Sequence, residues 1–158
     1  MEKKSYTFEE IKQKMVNYCV YQDRSHKEVE EKMREFLLIE EVKEEILEYL
    51  LRENFLSEER FARSYARGKF YMKSWGKGKI KMGLKQKGVG DKLISTAMQE
   101  IYPDDYRNTL TKLATFYIGN LSGLQGYQKR IKTTRYLLSR GYEYELITEV
   151  LSEIEEDS

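Results

Sequence analysis

The sequence predicts an all-α protein in which three tandem three-helix repeats form an elongated, curved helical array. Apolar residues recur at the three- and four-residue spacing of an amphipathic helix along nearly the whole chain. The 158 residues include a single proline, the residue that interrupts helices most strongly. A pattern of apolar residues around one glycine occurs twice, 53 residues apart, which indicates a repeat.

Three helices are expected before Asn54, each with one apolar stripe. Ser25 and Glu28 precede the second stripe at the spacing of a capping box, in which each side chain accepts a hydrogen bond from the other residue's backbone N–H. The stripes comprise Phe8, Ile11, Met15 and Tyr18; Val29, Met33, Phe36 and Leu37; and Val42, Ile46, Leu47, Tyr49 and Leu50.

Three further helices are expected between Ser57 and Pro103. Ser57 and the two glutamates after it open the fourth helix, because acidic side chains stabilise the positive N-terminal end of a helix. The two glycines within residues 76–79 predict a flexible turn or a poorly formed helix start. The fifth helix is expected to end at Gly88, Asp91 to cap the sixth, and Pro103 to end the segment. The stripes comprise Phe61, Ala62, Tyr65 and Ala66; Ile80 and Leu84; and Leu93, Ile94, Ala97, Met98 and Ile101.

The last three helices are expected after Pro103. Asp104 or Asp105 starts the seventh helix, because a short acidic side chain suits a helix N-terminus. Residues 121–126 form a loop, and the eighth helix ends at Gly141. The stripes comprise Leu110, Leu113, Ala114 and Tyr117; Ile131, Tyr136, Leu137 and Leu138; and Leu146, Ile147, Val150, Leu151 and Ile154.

The repeat is carried by four positions at spacings of 4, 6 and 4 residues, occupied first by Leu84, Gly88, Ile94 and Met98 and then by Leu137, Gly141, Ile147 and Leu151. In both copies one helix stripe is followed by a glycine stop and by the stripe of the next helix. The first unit fits loosely, since no glycine separates Met33 from Val42, and terminal repeats are commonly atypical. The predicted repeats are residues 1–56, 57–102 and 103–158.

The charge of the chain is unevenly distributed, although its net value is +1. Residues 1–59 carry 10 basic and 16 acidic side chains, and residues 93–158 carry 7 and 10. Residues 60–92 carry 11 basic side chains and one acidic side chain, a segmental charge of +10. Such a basic centre between acidic ends predicts a polyanionic partner or an acidic patch on a partner protein.

The residues that catalysis or metal binding requires are scarce. The single histidine, His26, lies inside the capping box, and the single cysteine, Cys19, has neither a disulfide partner nor zinc-ligand spacing. The glycines of residues 76–79 do not form a phosphate-binding loop, because Lys73 occupies the position of its first glycine and Ile80 that of its Ser or Thr. The sequence therefore predicts a non-enzymatic protein without cofactor or metal. It shows no secretory leader or membrane span, which predicts a cytoplasmic protein.

The basic segment is the strongest candidate site, and its proposed contact residues are Arg60, Arg63, Arg67, Lys69, Lys73, Trp75, Lys77, Lys79, Lys81, Lys85 and Lys87. The three arginines share one face of a helix, and Lys77, Lys81 and Lys85 share one face of the next. Cations with interleaved aromatic residues can follow a phosphate backbone and stack on bases. The same surface could instead complement an acidic protein groove, or be a solvated face with Phe70 and Trp75 in the core.

Several segments carry motifs of a known family. LSEERFARSY at residues 56–65 and the basic helix ending in LKQKGV at residues 84–89 resemble the central repeat of the RecX family of regulatory proteins. Tyr18-Cys19 and residues 25–29 resemble its first repeat, and the third is matched mainly by the spacing from Leu137 to Leu151. The resemblance covers nearly the whole chain, with an unusually acidic first repeat.

The resemblance implies a function in DNA repair and recombination. RecX-type proteins are curved, all-helical modulators of the RecA recombinase that bind its filament on single-stranded DNA and typically inhibit its ATPase and strand-exchange activities. It implies that this chain binds the RecA filament through the basic region from Arg60 to Lys87. We expect the chain to be a monomer. From the residues alone, direct binding of single-stranded DNA remains an alternative, and weak DNA affinity could also support filament binding.

Overall fold

The computed structural model describes residues 5–157, and within them the chain is entirely helical. The helices are α1 (Phe8–Tyr21), α2 (His26–Met33), α3 (Glu40–Arg52), α4 (Glu58–Tyr71), α5 (Lys77–Gln86), α6 (Asp91–Met98), α7 (Pro103–Gly119), α8 (Gly126–Ser139) and α9 (Tyr144–Glu156). Nine helices and no strand in this part of the chain confirm the predicted all-α fold class. None of these helices is long and apolar enough to cross a membrane.

Polar side chains fix the starts of several helices. At α2, the Ser25 Oγ accepts a hydrogen bond from the Glu28 N–H at 3.1 Å, and the Glu28 carboxylate accepts one from the Ser25 N–H at 2.9 Å, which confirms the predicted capping box. Thr7 and Glu10 form a second capping box at α1. Ser57 accepts a hydrogen bond from the backbone N–H of Arg60 at 3.2 Å, so α4 begins where predicted.

Two predicted helix starts differ from the structure. Helix α7 begins at Pro103 and not at Asp104 or Asp105, because the first turn of a helix does not need the N–H that proline lacks and its fixed φ is already helical. Asp104 and Asp105 follow inside that first turn. Asp91 is the first residue of α6 and not its cap, since the N–H of Ile94 donates to the carbonyl oxygen of Gly90 at 3.0 Å.

The described residues form two compact units. The first comprises the chain up to Ser64 together with Leu84–Ala97, and α1 packs there against α2 and α3. Its core cluster contains Ile11, Met15, Cys19, Val29, Met33, Ile46, Leu50 and Leu56. The predicted stripes of the first three helices supply most of it.

The second unit comprises Tyr65–Gly83 and the chain from Met98 onward, and α7, α8 and α9 pack against one another in it. Its fully buried side chains include Phe70, Ile80, Leu110, Leu137, Ile147 and Leu151. The division into repeats ending at residues 56 and 102 stays a prediction. The first four residues and Ser158 of its outer repeats lie outside the described residues.

Candidate nucleic-acid interface

Trp75 lies between the side chains of two lysines in the second unit. The Lys69 ammonium is 4.7 Å and the Lys79 ammonium 4.4 Å from the indole centroid, which is cation–π distance. The turn after α4 produces this arrangement: Ser74 adopts a left-handed φ of 57°, and the Trp75 N–H donates to the carbonyl oxygen of Lys69 at 3.0 Å. The indole is half-buried, whereas the neighbouring Phe70 is a core residue.

This arrangement fits a single-stranded nucleic acid chemically. Both ammonium groups lie over the indole ring. On binding they can turn to the phosphates of a nucleic acid, which exposes an aromatic face on which a base can stack. Lys73 and Lys81, also in this unit, have exposed side chains. They are therefore available for a polyanion.

The segment that carries Lys77 and Lys79 is fixed by a close backbone contact between Gly76 and Gly141. The Gly76 N–H donates to the carbonyl oxygen of Arg140 at 2.7 Å. A Cβ on Gly76 would lie 2.3 Å from the carbonyl carbon of Gly141, so the backbones meet too closely for any side chain. The sequence-based interpretation of residues 76–79 as a flexible turn or a poorly formed helix start is wrong, because the glycines serve this close approach at the first turn of a regular helix.

Lys77 is held by an aromatic group beneath the helix. The Tyr106 hydroxyl accepts a hydrogen bond from the Lys77 N–H at 3.0 Å and donates one to the Glu143 carboxylate, at 2.9 Å from one of its oxygens. The Lys77 ammonium is 4.7 Å from the centroid of the Tyr106 ring, which is 5.1 Å from that of Tyr142. Burial raises the pKa of both tyrosines, and the nearby Glu143 carboxylate raises it further.

Arg60 is a structural tie of the first unit. Its Nε donates to the Asp23 carboxylate at 2.7 Å, and its two terminal nitrogens donate to the carbonyl oxygens of Asn54 and Phe55 at 3.2 and 3.0 Å. The second oxygen of Asp23 accepts a hydrogen bond from the Ser64 hydroxyl at 2.7 Å. The guanidinium group thus provides hydrogen-bond donors for two backbone carbonyl oxygens in the loop before α4.

Other predicted contact residues also pair with acids of the protein. Arg67 contacts Glu100 at 2.6 Å, and Lys87 contacts Glu28 at 3.3 Å. Arg63 pairs with Glu59 at 3.7 Å on the same helix. Lys85 lies 3.9 Å from Asp91, with both side chains largely exposed. The exposed pair of Lys85 and Asp91 is weak, so it leaves this lysine open to competition by a phosphate.

A second basic stretch escaped the sequence prediction. Residues 106–142 contain seven Lys or Arg residues and no Asp or Glu. The acidic residues on either side give residues 93–158 together a net negative charge, which conceals this stretch in the total. A count along each helix would have found the stretch. Four of the seven cations are in α8, namely Lys129, Arg130, Lys132 and Arg135.

The predicted scarcity of catalytic groups can be examined where the side chains are described. Burial raises the pKa of the Cys19 thiol, which disfavours the reactive thiolate. His26 lies at the first turn of α2, and its Nδ1 is 3.8 Å from a carboxylate oxygen of Glu58. Among residues 5–157, no group of three or more His, Cys, Asp or Glu side chains could hold a metal ion.

Comparison with known families matches the two repeats that follow the acidic one. Residues 57–98 match the family model described as the second three-helix domain of RecX, and residues 104–151 match that of the third.

The chain is also similar to individual proteins named regulatory protein RecX. A protein named regulatory protein RecX from Clostridium perfringens strain 13 is 28% identical over 130 residues, which are 81% of this chain and 60% of the relative. The protein of that name from Clostridium botulinum strain Alaska E43 is 31% identical over 102 residues, which are 63% of this chain and 47% of the relative. The chain thus spans about half to three fifths of the length of these relatives.

Solved structures share the fold. The crystal structure of RecX from Lactobacillus salivarius superimposes with a TM-score of 0.86 at 26% identity, covering 94% of this chain and 96% of the other. Another crystal structure, of a regulatory protein RecX, gives a TM-score of 0.81 at 24% identity, covering 90% and 70%. The all-α array of helical repeats is therefore the fold of these proteins too.

Proposed function

This chain belongs to the RecX family of regulatory proteins, and from that premise we propose that it binds the RecA–single-stranded-DNA filament and inhibits its recombinase and ATPase activities. The protein acts by occupying the filament and not by catalysis, as a cytoplasmic monomer without cofactor. Family membership supports the regulatory role. The basic side chains of the middle helices support a nucleoprotein partner.

The cluster of Lys69, Trp75 and Lys79 is the observation that carries this proposal. A filament presents phosphates and bases beside protein surface, and the cluster offers two cations that each lie within 5 Å of the centroid of one aromatic ring. Lys73 and Lys81 extend the positive charge of the same unit. In the proposed contact these five residues bind, whereas the Lys77 backbone helps to hold the start of α5, and Arg60 has a structural role in the first unit.

The test is a titration of the protein onto RecA filaments assembled on single-stranded DNA, with ATP hydrolysis and strand exchange as readouts. We expect both activities to fall as the filament saturates with the protein. The variant carrying Lys69→Ala and Lys79→Ala should need a higher concentration for the same inhibition. Lys112→Ala, an exposed lysine of α7, is the matched control and should behave as the wild type. Unchanged ATPase and strand exchange at saturating wild-type protein would contradict the proposal.

Direct binding of single-stranded DNA without RecA is the second candidate function, and the half-buried indole of Trp75 between two cations favours it. It predicts that the protein binds a bare oligonucleotide with an affinity that falls steeply with salt, because each neutralised phosphate releases counterions. Comparing bare DNA with the assembled filament separates the candidates. Equal affinity for both would favour the DNA-binding module over the filament regulator.

A further inference from the structure

The outer face of α8 carries an apolar stripe that nothing covers within the described chain. Tyr127, Ile131 and Leu138 are 67%, 48% and 44% exposed, and their spacing places them on one face of the helix. With the half-exposed Thr134 they are spaced four, three and four residues apart. This is the spacing of the seam along which one helix packs against another.

Charge beside the stripe indicates what kind of helix could cover it. Lys132 and Arg135 are exposed on the same helix, next to the seam positions Ile131 and Thr134. The segment from residue 106 to residue 142 has no acidic side chain to neutralise them. An apolar helix with acidic flanks would complement both the stripe and its charge, as charged flanks do in paired helices.

An open apolar cavity of about 560 Å³ adjoins the start of the stripe. Ile118, Leu151 and Ile154 contribute its apolar lining, and Tyr127 belongs both to the cavity and to the stripe. Arg130 and Glu155 are also in the lining and pair with each other at 2.7 Å. A large apolar side chain inserted into such a cavity is the usual anchor of a protein interface.

We propose that this face of α8, with the adjoining cavity, docks an acidic amphipathic helix of a protein partner. A nucleic acid would fit the cations but not the stripe, because Ile131 and Leu138 have no aromatic face on which a base could stack. The assignment of the partner as the recombinase rests on the proposed function. Under it, α8 contacts protein, whereas the cluster of Lys69, Trp75 and Lys79 contacts DNA.

The test compares two double variants against bare RecA, bare single-stranded DNA and the assembled filament. Ile131→Ser with Leu138→Ser should weaken binding to RecA and to the filament at least about tenfold and leave DNA binding unchanged. Lys69→Ala with Lys79→Ala should weaken binding to bare DNA and leave binding to bare RecA unchanged. Both stripe residues are exposed, so the melting temperature should stay within about 2 °C of the wild type, which excludes misfolding as the cause.

A second measurement does not depend on the recombinase. A synthetic three-heptad peptide with leucine at its seam and glutamate on its flanks should bind the wild-type protein and not the Ile131→Ser, Leu138→Ser variant. The same peptide with lysine in place of glutamate is the matched control and should bind much more weakly.

The possible outcomes separate the two proposals. If the wild type inhibits the filament but the stripe variant binds RecA and the filament equally well, the docking face is wrong and the proposed function stands. If the stripe variant loses DNA affinity, the face is a nucleic-acid surface and the inference is overturned. If the wild type neither binds nor inhibits the filament, the proposed function fails. The peptide then decides: binding supports the docking face, and no binding overturns it.

Discussion

The backbone N–H of Gly78 donates to the carbonyl oxygen of Gly141 at 2.8 Å, which joins the first turn of α5 to the residue that ends the α8 segment. Gly141 has a φ of 99°, and a Cβ there would lie 2.5 Å from the backbone nitrogen of Lys79. Gly141 therefore follows the end of α8 and also contacts the backbone at the start of α5. The position of Lys79, and with it the lysine–tryptophan cluster, depends on this backbone contact.

Replacing Gly76 by alanine should strongly destabilise the protein. The new methyl group would lie 2.3 Å from the Gly141 carbonyl carbon and 2.4 Å from the Tyr142 nitrogen, and backbone atoms cannot move aside as a flexible side chain does. We expect a loss of about 2–4 kcal/mol in the free energy of unfolding, measured by urea denaturation. Gly68→Ala is the control: nothing lies within 4 Å of its Cβ and it is inside α4, so it should gain about 0.5–1 kcal/mol. Equal effects of the two variants would contradict the close contact.

The two glycines of the repeat should respond differently to alanine. Both have positive φ, 80° at Gly88 and 99° at Gly141, which costs an alanine about 1–2 kcal/mol. At Gly88 the nearest atom to a Cβ is 3.8 Å away, so that cost is the whole effect. At Gly141 the clash with Lys79 adds to it. Gly141→Ala should therefore lower the thermal midpoint clearly more than Gly88→Ala, and similar midpoints would show that conformation alone matters.

These glycines also mark how far sequence predicts this fold. Helical spacing predicted the stripes because burial on one face requires a period near 3.6 residues, and Ile46, Leu84 and Leu137 are fully buried as expected. A glycine after a stripe predicted the helix end at Gly141 because that preference is local. The partner of Gly141 could not be predicted, since Gly76 and Gly78 lie more than 60 residues away in the chain and short-range preferences do not encode such a contact.

Stability should decline at alkaline pH because of Tyr106 and Tyr142. Burial raises the pKa of both phenols above the ordinary value of 10.0. Above pH 10 the unfolded chain releases protons that the folded protein retains, so the free energy of unfolding falls, by up to about 1.4 kcal/mol per pH unit for each phenol. Below that pH these two groups contribute no slope.

The variant Tyr106→Phe isolates one of the two phenols. It should be less stable at neutral pH, because the Lys77 N–H and the Glu143 carboxylate each lose a hydrogen-bond partner, at about 1–3 kcal/mol. Its stability should fall less steeply between pH 10 and 11, since one of the two titrating groups is gone. Urea denaturation at half-unit intervals from pH 8.5 to 11 measures both effects. A slope equal to that of the wild type would exclude Tyr106 as a source of the alkaline loss.

Arg60 and Lys81 should separate structural from binding cations. Arg60→Ala removes hydrogen bonds to Asp23 and to two backbone carbonyls and should cost about 1–2 kcal/mol of stability. Lys81→Ala removes an exposed side chain and should change stability by less than about 0.5 kcal/mol. Its effect should appear in binding to single-stranded DNA. The slope of log affinity against log salt concentration should be shallower by about 0.7, because one phosphate contact is lost. If Arg60→Ala weakened only DNA binding and Lys81→Ala lowered only stability, the roles given to these two residues would be wrong.

The basic segment shows why the site was predicted only in outline. The excess of positive charge in residues 60–92 follows from the sequence, because formal charge needs no structure. A charge count could not distinguish Arg60 from Lys81, since the acid that pairs with Arg60 is Asp23, 37 residues away. It also missed the cations of α8, because the count was taken over a segment that included acidic helix ends. Tertiary pairing decides which charges are left for a partner.

Trp75 is the single tryptophan, so its fluorescence reports on the lysine–tryptophan cluster alone. If a base stacks on the indole, adding single-stranded DNA should change its emission in proportion to the binding measured independently by anisotropy of a labelled oligonucleotide. Trp75→Ala should weaken that binding by about 1–3 kcal/mol, and Trp75→Phe by less, because phenylalanine retains an aromatic face. If the anisotropy showed binding while the Trp75 emission stayed unchanged, and if Trp75→Ala kept its DNA affinity, the indole would be a packing residue and the lysines alone would contact the DNA.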